Sequence, residues 1–168
     1  MPFTPFHFGP GALVHSAAPK HISFLAFCGA NVLVDVEPLY YMITGGYPIH
    51  RFFHTYVGAT VAGLIFVLLF ALVRRFGMPL LTLLRLGNLS LRAVALGAFA
   101  GTYSHVLLDS LMHADMRPFA PFSDATPLLG AISLRALHGF CVIAGAVGLG
   151  IIFVRRSRPE RPSRARAP

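Results

Sequence analysis

Eight histidines and six acidic residues hold most of the chemistry open to this 168-residue chain, and their spacing is uneven. His50 and His54 stand four residues apart, as do His105 and Asp109, and His113 follows one turn later. On a helix, positions i and i+4 lie one above the other on one face. His-x-x-x-His and His-x-x-x-Asp are therefore spacings by which one helix presents two ligands to one ion. Imidazole with carboxylate favours zinc, manganese or iron over calcium or magnesium, and zinc is the default for hydrolysis. A single His pair arises often by chance. An Asp inside an apolar helix is different, because ionisable groups within a membrane are costly and normally have a partner. Asp35 and Asp109 are functional candidates on that ground.

The membrane itself follows from composition. The chain is 55% hydrophobic and 12% charged, against about 25% charged in a soluble domain, and its mean hydropathy is +0.68. So short a chain has too much surface to hide that many apolar residues in water. Disorder is excluded and lipid is the expected solvent. Lys and Arg total 14 against six acids, a net +8, which fits a membrane protein with basic flanks. Cys28 and Cys141 lie apart in apolar stretches without a C-x-x-C spacing, so they read as packing residues. Residues 1–11 lack the basic start and small-residue cleavage site of a signal peptide, so the membrane segments are expected to be retained.

Stepping along the chain, an all-α, polytopic membrane bundle is expected, with about three spans and an N-terminal re-entrant or short helical hairpin. The spans are Tyr56 to Val73, Leu89 to Met112 and Ala136 to Val154, each near the roughly 20 apolar residues a crossing needs. Residues 76–88, with a Gly77 and Pro79 break, suit an interfacial turn or short amphipathic helix. Before Tyr56, the run from Ile22 to Ile43 is interrupted by Asn31, Asp35, Glu37 and Pro38. The expected solution is two short antiparallel arms, Pro5 to Ala17 and His21 to Val34, turning at Ala18-Pro19-Lys20. Each arm, about 20 Å long, cannot cross ~30 Å of hydrocarbon. His7 and Asp35 then share one end. Residues 1–154 form a single membrane domain, and the Arg- and Pro-rich residues 155–168 a disordered tail.

Charge orients the bundle. Arg74, Arg75, Arg85, Arg92 and the Arg of the tail fall on one side, Arg51, Arg117 and Arg135 on the other, so the tail is expected in the cytoplasm and the histidine-rich end at the outer face. A bacterial inner (plasma) membrane is the expected location. His15, His21 and His138 read as structural or interfacial, and Asp124 as a turn or cap residue. The roles of His113 and Asp115 stay open.

Met1-Pro-Phe-Thr-Pro-Phe-His7, Asp35-Val-Glu37, His50-Arg-Phe-Phe-His54-Thr55 and Ser104-His105-Val-Leu-Leu-Asp109, in that order, resemble the YdjM-like family of membrane-bound metal-dependent hydrolases. That resemblance implies a distant kinship with zinc-dependent phospholipase C and single-strand nucleases. By position it implies His7, Asp35, His50, His54, His105 and Asp109 as metal ligands. Glu37 stands where the family has a second Asp, and Phe52 and Phe53 where it has Gly and Thr. The chain also lacks Trp, so the N-terminal tryptophan ligand of the soluble zinc enzymes has no counterpart, which points to one or two ions.

The expected activity is hydrolysis of a phosphoester, such as a lipid or lipid-linked phosphate, by metal-activated water. Asp109 would bridge two ions, Glu37, Ser104 or Thr55 would orient an imidazole, and Arg51 would hold the phosphate. Asp109, Glu37 and Arg51 are thus the catalytic candidates. Membrane lipids are the expected partners and nucleic acid is not. Two alternatives use the same residues: a non-catalytic metal-binding protein, and a small transporter subunit, the latter opposed by the lack of a polar stripe along the first and third spans.

Overall fold

A computed structural model describes residues 4–77, 82 and 89–157. Among them every regular element is helical. A 3-10 turn, Thr4–His7, leads into α1 (Phe8–Ala17), followed by α2 (Phe24–Thr44), a second 3-10 turn (Phe52–His54), α3 (Tyr56–Phe76), α4 (Leu91–Ser110) and α5 (Leu134–Ser157). The last three are long and apolar enough to cross a membrane. They sit within a few residues of the expected spans, because unbroken apolar runs of that length admit no other solution in lipid. Half of the α4 apolar window is buried, against 22% for α3 and for α5, so α4 is the central helix. Residues 78–81, 83–88 and 158–168, where an interfacial segment and most of the tail were expected, lie outside the described residues. Arg155, Arg156 and Ser157 belong to α5 rather than to a tail.

The N-terminal pair departs from expectation. α1 is a short arm of 10 residues, but α2 continues past Val34 to Thr44, 21 residues in all and about 31 Å long. The carboxylates and Pro38 do not end it. Pro38 costs the helix one backbone hydrogen bond, while Asp35 and Glu37 find partners across the bundle. Gly45, at φ 71°, closes the helix with its amide on the Tyr41 carbonyl.

α2 and α4 run parallel in a fixed register. The Ser23 amide donates to the Ala93 carbonyl at 3.0 Å. A side chain at Gly97 would strike the Ser23 backbone, and one at Gly101 would meet the Phe27 carbonyl at 2.5 Å and the Asn31 amide at 2.9 Å. Four residues further along each helix, Asn31 meets His105 and Asp35 lies beside His105. Ala93, Gly97, Gly101, His105 and Asp109 are thus one i,i+4 stripe, small where the backbones touch and ligating where they part. α3 packs antiparallel on α4, with Thr60 bonded to Tyr103 at 2.7 Å and Gly63 against Phe99. α1 lies against α5 at Gly9, Gly145 and Gly148.

Gly101→Val tests the register. It should force α2 from α4 and destabilise by about 1–3 kcal/mol, lowering the melting temperature of the detergent-purified protein. Gly139→Ala, whose new methyl would meet open space, should not.

Candidate metal centre

Four elements deliver the site to one end of the bundle. The last two turns of α4 supply His105 and Asp109, α2 supplies Asp35, the second 3-10 turn supplies His54, and the first supplies His7. His54, His105 and His7 are each 1% exposed or less, and Asp109 is 3% exposed. His54 Nε2 lies 3.6 Å from Asp109 Oδ2 and 3.8 Å from Asp35 Oδ1. His105 Nε2 lies 3.3 Å from Asp109 Oδ2 and 3.2 Å from Asp35 Oδ1. Asp35, His54, His105 and Asp109 therefore each offer a ligand atom to one small volume.

The tautomer of His105 is fixed by its neighbour. Asn31 Nδ2 donates to the Phe27 carbonyl at 2.8 Å, which turns Asn31 Oδ1 towards His105 Nδ1, 2.9 Å away. An amide oxygen only accepts, so His105 Nδ1 carries the proton. In the neutral form that a metal ligand must take, His105 then presents an Nε2 lone pair to two carboxylate oxygens. That arrangement is repulsive without a cation between them. Consistently, both imidazole nitrogens of His54, His105 Nε2 and Asp109 Oδ1 are buried with no hydrogen-bond partner. Orphaned buried polar atoms are rare in folded proteins, and here they converge. The donor set of two imidazoles and two carboxylates fits a borderline divalent ion such as zinc or manganese.

A second group adjoins the first. His50, Asp109 and His113 also bring one ligand atom each within ion-binding distance, so Asp109 is common to both. His50 and His113 stack with ring centroids 4.1 Å apart. His50 Nδ1 donates to Asp115 Oδ1 at 2.9 Å, leaving Nε2 free to ligate. The Ile49 and His50 amides donate to Asp115 Oδ2 at 3.1 and 3.2 Å. Burial pushes Asp115 up, but these hydrogen bonds prevail and hold its carboxyl below the ordinary value. Burial pushes the His113 imidazole down to about 4, keeping it in the neutral form that binds metals.

Several sequence expectations are relocated. His50 and His54 do not share an α-helix: α3 begins at Tyr56, His54 ends a 3-10 turn and His50 precedes it, so they enter different ligand groups. His113 lies beyond the end of α4, not on it, its amide bonded to the Asp109 carbonyl at 2.9 Å. His7 lies outside both groups; its Nδ1 is 3.1 Å from His105 Nδ1 and its Nε2 3.2 Å from Asp109 Oδ1, where it braces both ligands. Glu37 accepts from the Phe52 and Phe53 amides at 3.0 and 2.8 Å and faces His54 Nδ1 at 3.8 Å, an orienting position. Thr55 caps α3 and Ser104 bonds the Gly101 carbonyl, so neither orients an imidazole. Arg51 donates to the Pro48 and Tyr47 carbonyls and lies over the Tyr41 ring at 3.7 Å, away from the ligands. Among the remaining histidines, His15 donates to the Ile22 carbonyl and His138 stacks on Phe6.

Asn31 and Asp115 were not singled out as orienting groups by sequence reading. Asn31 stands four residues before Asp35, and that i,i+4 relation was the available signal. No protein-family model, no curated protein and no solved structure matches this chain.

Asn31→Leu keeps the size of the side chain and removes the acceptor. Metal affinity, measured by competition with a chromogenic chelator, should fall about 10- to 100-fold. The melting temperature of the metal-stripped protein should change little. The reverse pattern would make Asn31 a packing residue only.

Proposed function

We propose that this chain is a membrane-embedded, metal-dependent hydrolase of the YdjM-like type that cleaves a phosphoester, with a lipid or lipid-linked phosphate as substrate. The observation that carries the reading is the buried group of His54, His105, Asp35 and Asp109, with His105 Nε2 3.2 and 3.3 Å from the two carboxylates, beside a second ligand group that shares Asp109. The ordered motifs quoted above give it further support. The side chain of Asp35 is 28% exposed where that of Asp109 is 4%, so the cluster is open on the Asp35 side. A closed structural zinc site has no such open position.

Divalent ions bound there would supply Lewis-acid activation of water and of a phosphoryl oxygen. The residues of the chain do the rest. Asp109 holds the two ligand groups together through one carboxylate. Asn31 and Asp115 fix the proton on Nδ1 of His105 and His50, so that each Nε2 lone pair points inward. Glu37 anchors the turn that carries His54. A cavity of about 440 Å³ lies beside His50 and Asp115, with Arg51 and Arg117 on its wall and Phe52 and Val57 among its apolar lining. It suits a substrate with an anionic head and an apolar body, and Arg51 is proposed to reach that head by leaving its loop carbonyls. Positive-inside asymmetry would put the site at the outer face and the tail in the cytoplasm.

Elemental analysis of the detergent-purified protein, paired with hydrolysis of a chromogenic phosphodiester and of anionic phospholipids, tests the proposal. The wild type should hold up to two transition-metal ions and hydrolyse at least one substrate class. Asp109→Asn should lose the metal and the activity, whereas His113→Ala should lose one ion and keep the other. Metal without hydrolysis of any phosphoester would favour a non-catalytic metal-binding role. No metal in wild type would defeat both readings.

A further inference from the structure

A second cavity, of about 640 Å³, lies at the opposite end of the bundle from the candidate metal ligands, with His15 on its wall. It sits between the start of α2, the start of α4 and the last turns of α5. Lys20 and Arg156 line it, with buried Ser23, exposed Ser90 and the apolar Phe24 and Leu149 also on its walls.

Four features make this cavity selective for a phosphate-bearing anion. Lys20 and Arg156 are exposed, and no carboxylate pairs with either among the described residues. The acids Asp35, Glu37, Asp109 and Asp115 are all engaged at the other end. Ser23 and Ser90 cap helices of 21 and 20 residues, so two positive helix ends meet at the same place and add to the field of the two cations. Each serine hydroxyl accepts a backbone amide, from Ala26 and from Ala93, and so keeps its own proton to donate.

The walls choose the ligand further. Leu25 and Leu149 are more than half exposed on the outside of the bundle, so the cavity opens sideways onto the surface that the hydrocarbon covers. Its basic rim stands where three spanning helices end, the depth of lipid headgroups. We infer that this cavity is a binding site for an anionic phospholipid, with the phosphate held between Lys20 and Arg156 at the starts of α2 and α4 and an acyl chain along Phe24 and Leu149. Basic pockets between membrane helices bind such headgroups elsewhere for the same electrostatic reason. The lipid here is a resident of the fold, not a substrate, and the inference does not depend on the metal centre. Its phosphate would tie α1, α2, α4 and α5 together at the end where no ion does so.

The test is thermal unfolding of the full chain in a neutral detergent, titrated with dioleoyl-phosphatidylglycerol, dioleoyl-phosphatidylcholine or inorganic phosphate. Phosphatidylglycerol should raise the melting temperature saturably, and the other two should not. The exposed pair Lys20→Gln/Arg156→Gln should weaken the apparent affinity by about thirtyfold and leave the helical circular-dichroism spectrum and the lipid-free melting temperature unchanged, which shows that the variant folds. Arg74→Gln/Arg75→Gln, which removes the same charge at the same end outside this cavity, should keep the affinity. Three results would overturn the assignment: an equal response to phosphatidylcholine, an equal loss in the Arg74/Arg75 pair, or a full shift produced by inorganic phosphate alone, which would make it a free-phosphate site.

Discussion

The close parallel contact of α2 with α4 is the constraint from which the site follows. Gly97 and Gly101 let the backbones approach until Ser23 bonds Ala93, and this sets the register to the residue. One turn beyond Gly101 the same stripe bears His105, and one turn beyond that Asp109. On α2 the matching turns bear Asn31 and Asp35. A slip of one residue would rotate each of these groups by about 100° around its helix axis and dissolve the cluster. The glycines therefore serve the chemistry by fixing where the ligands arrive, though neither touches the site.

Burial then explains why the cluster has the composition it has. Carboxylates placed in an apolar bundle are costly unless a cation or several donors face them. Glu37 and Asp115 meet that demand with backbone amides and an imidazole. Asp109 instead meets the imidazole nitrogens of His7, His105 and His54 at 3.2, 3.3 and 3.6 Å. Acids held by backbone amides thus stand apart from those whose neighbours are imidazoles able to share an ion with them. The same economy separates the ends of the bundle, with the candidate ligands gathered at one and the basic cavity at the other.

The sequence made some of this legible and hid the rest for identifiable reasons. The three spans could be read because apolar runs of that length are constrained by the bilayer alone. His105 and Asp109 could be read because their partnership is local to one helix. The end of α2 was misplaced because Asp35, Glu37 and Pro38 look like helix breakers until their partners on α4 and in the 52–54 turn are known. His50 and His54 have helical spacing but lie before α3 begins, where the chain turns so that the two rings face different ligands. Asp115 and Asn31 acquire their orienting roles from residues 65 and 74 positions away, and spacing along the chain does not name those partners.

Anomalous X-ray scattering from crystals of the metal-loaded protein is the most direct test of the central claim, that a cation separates His105 Nε2 from the carboxylates. A peak is expected about 2.0–2.2 Å from His54 Nε2, His105 Nε2 and a carboxylate oxygen of Asp109. An empty position there, with His105 Nε2 protonated and hydrogen-bonded directly to Asp35 and Asp109, would contradict it.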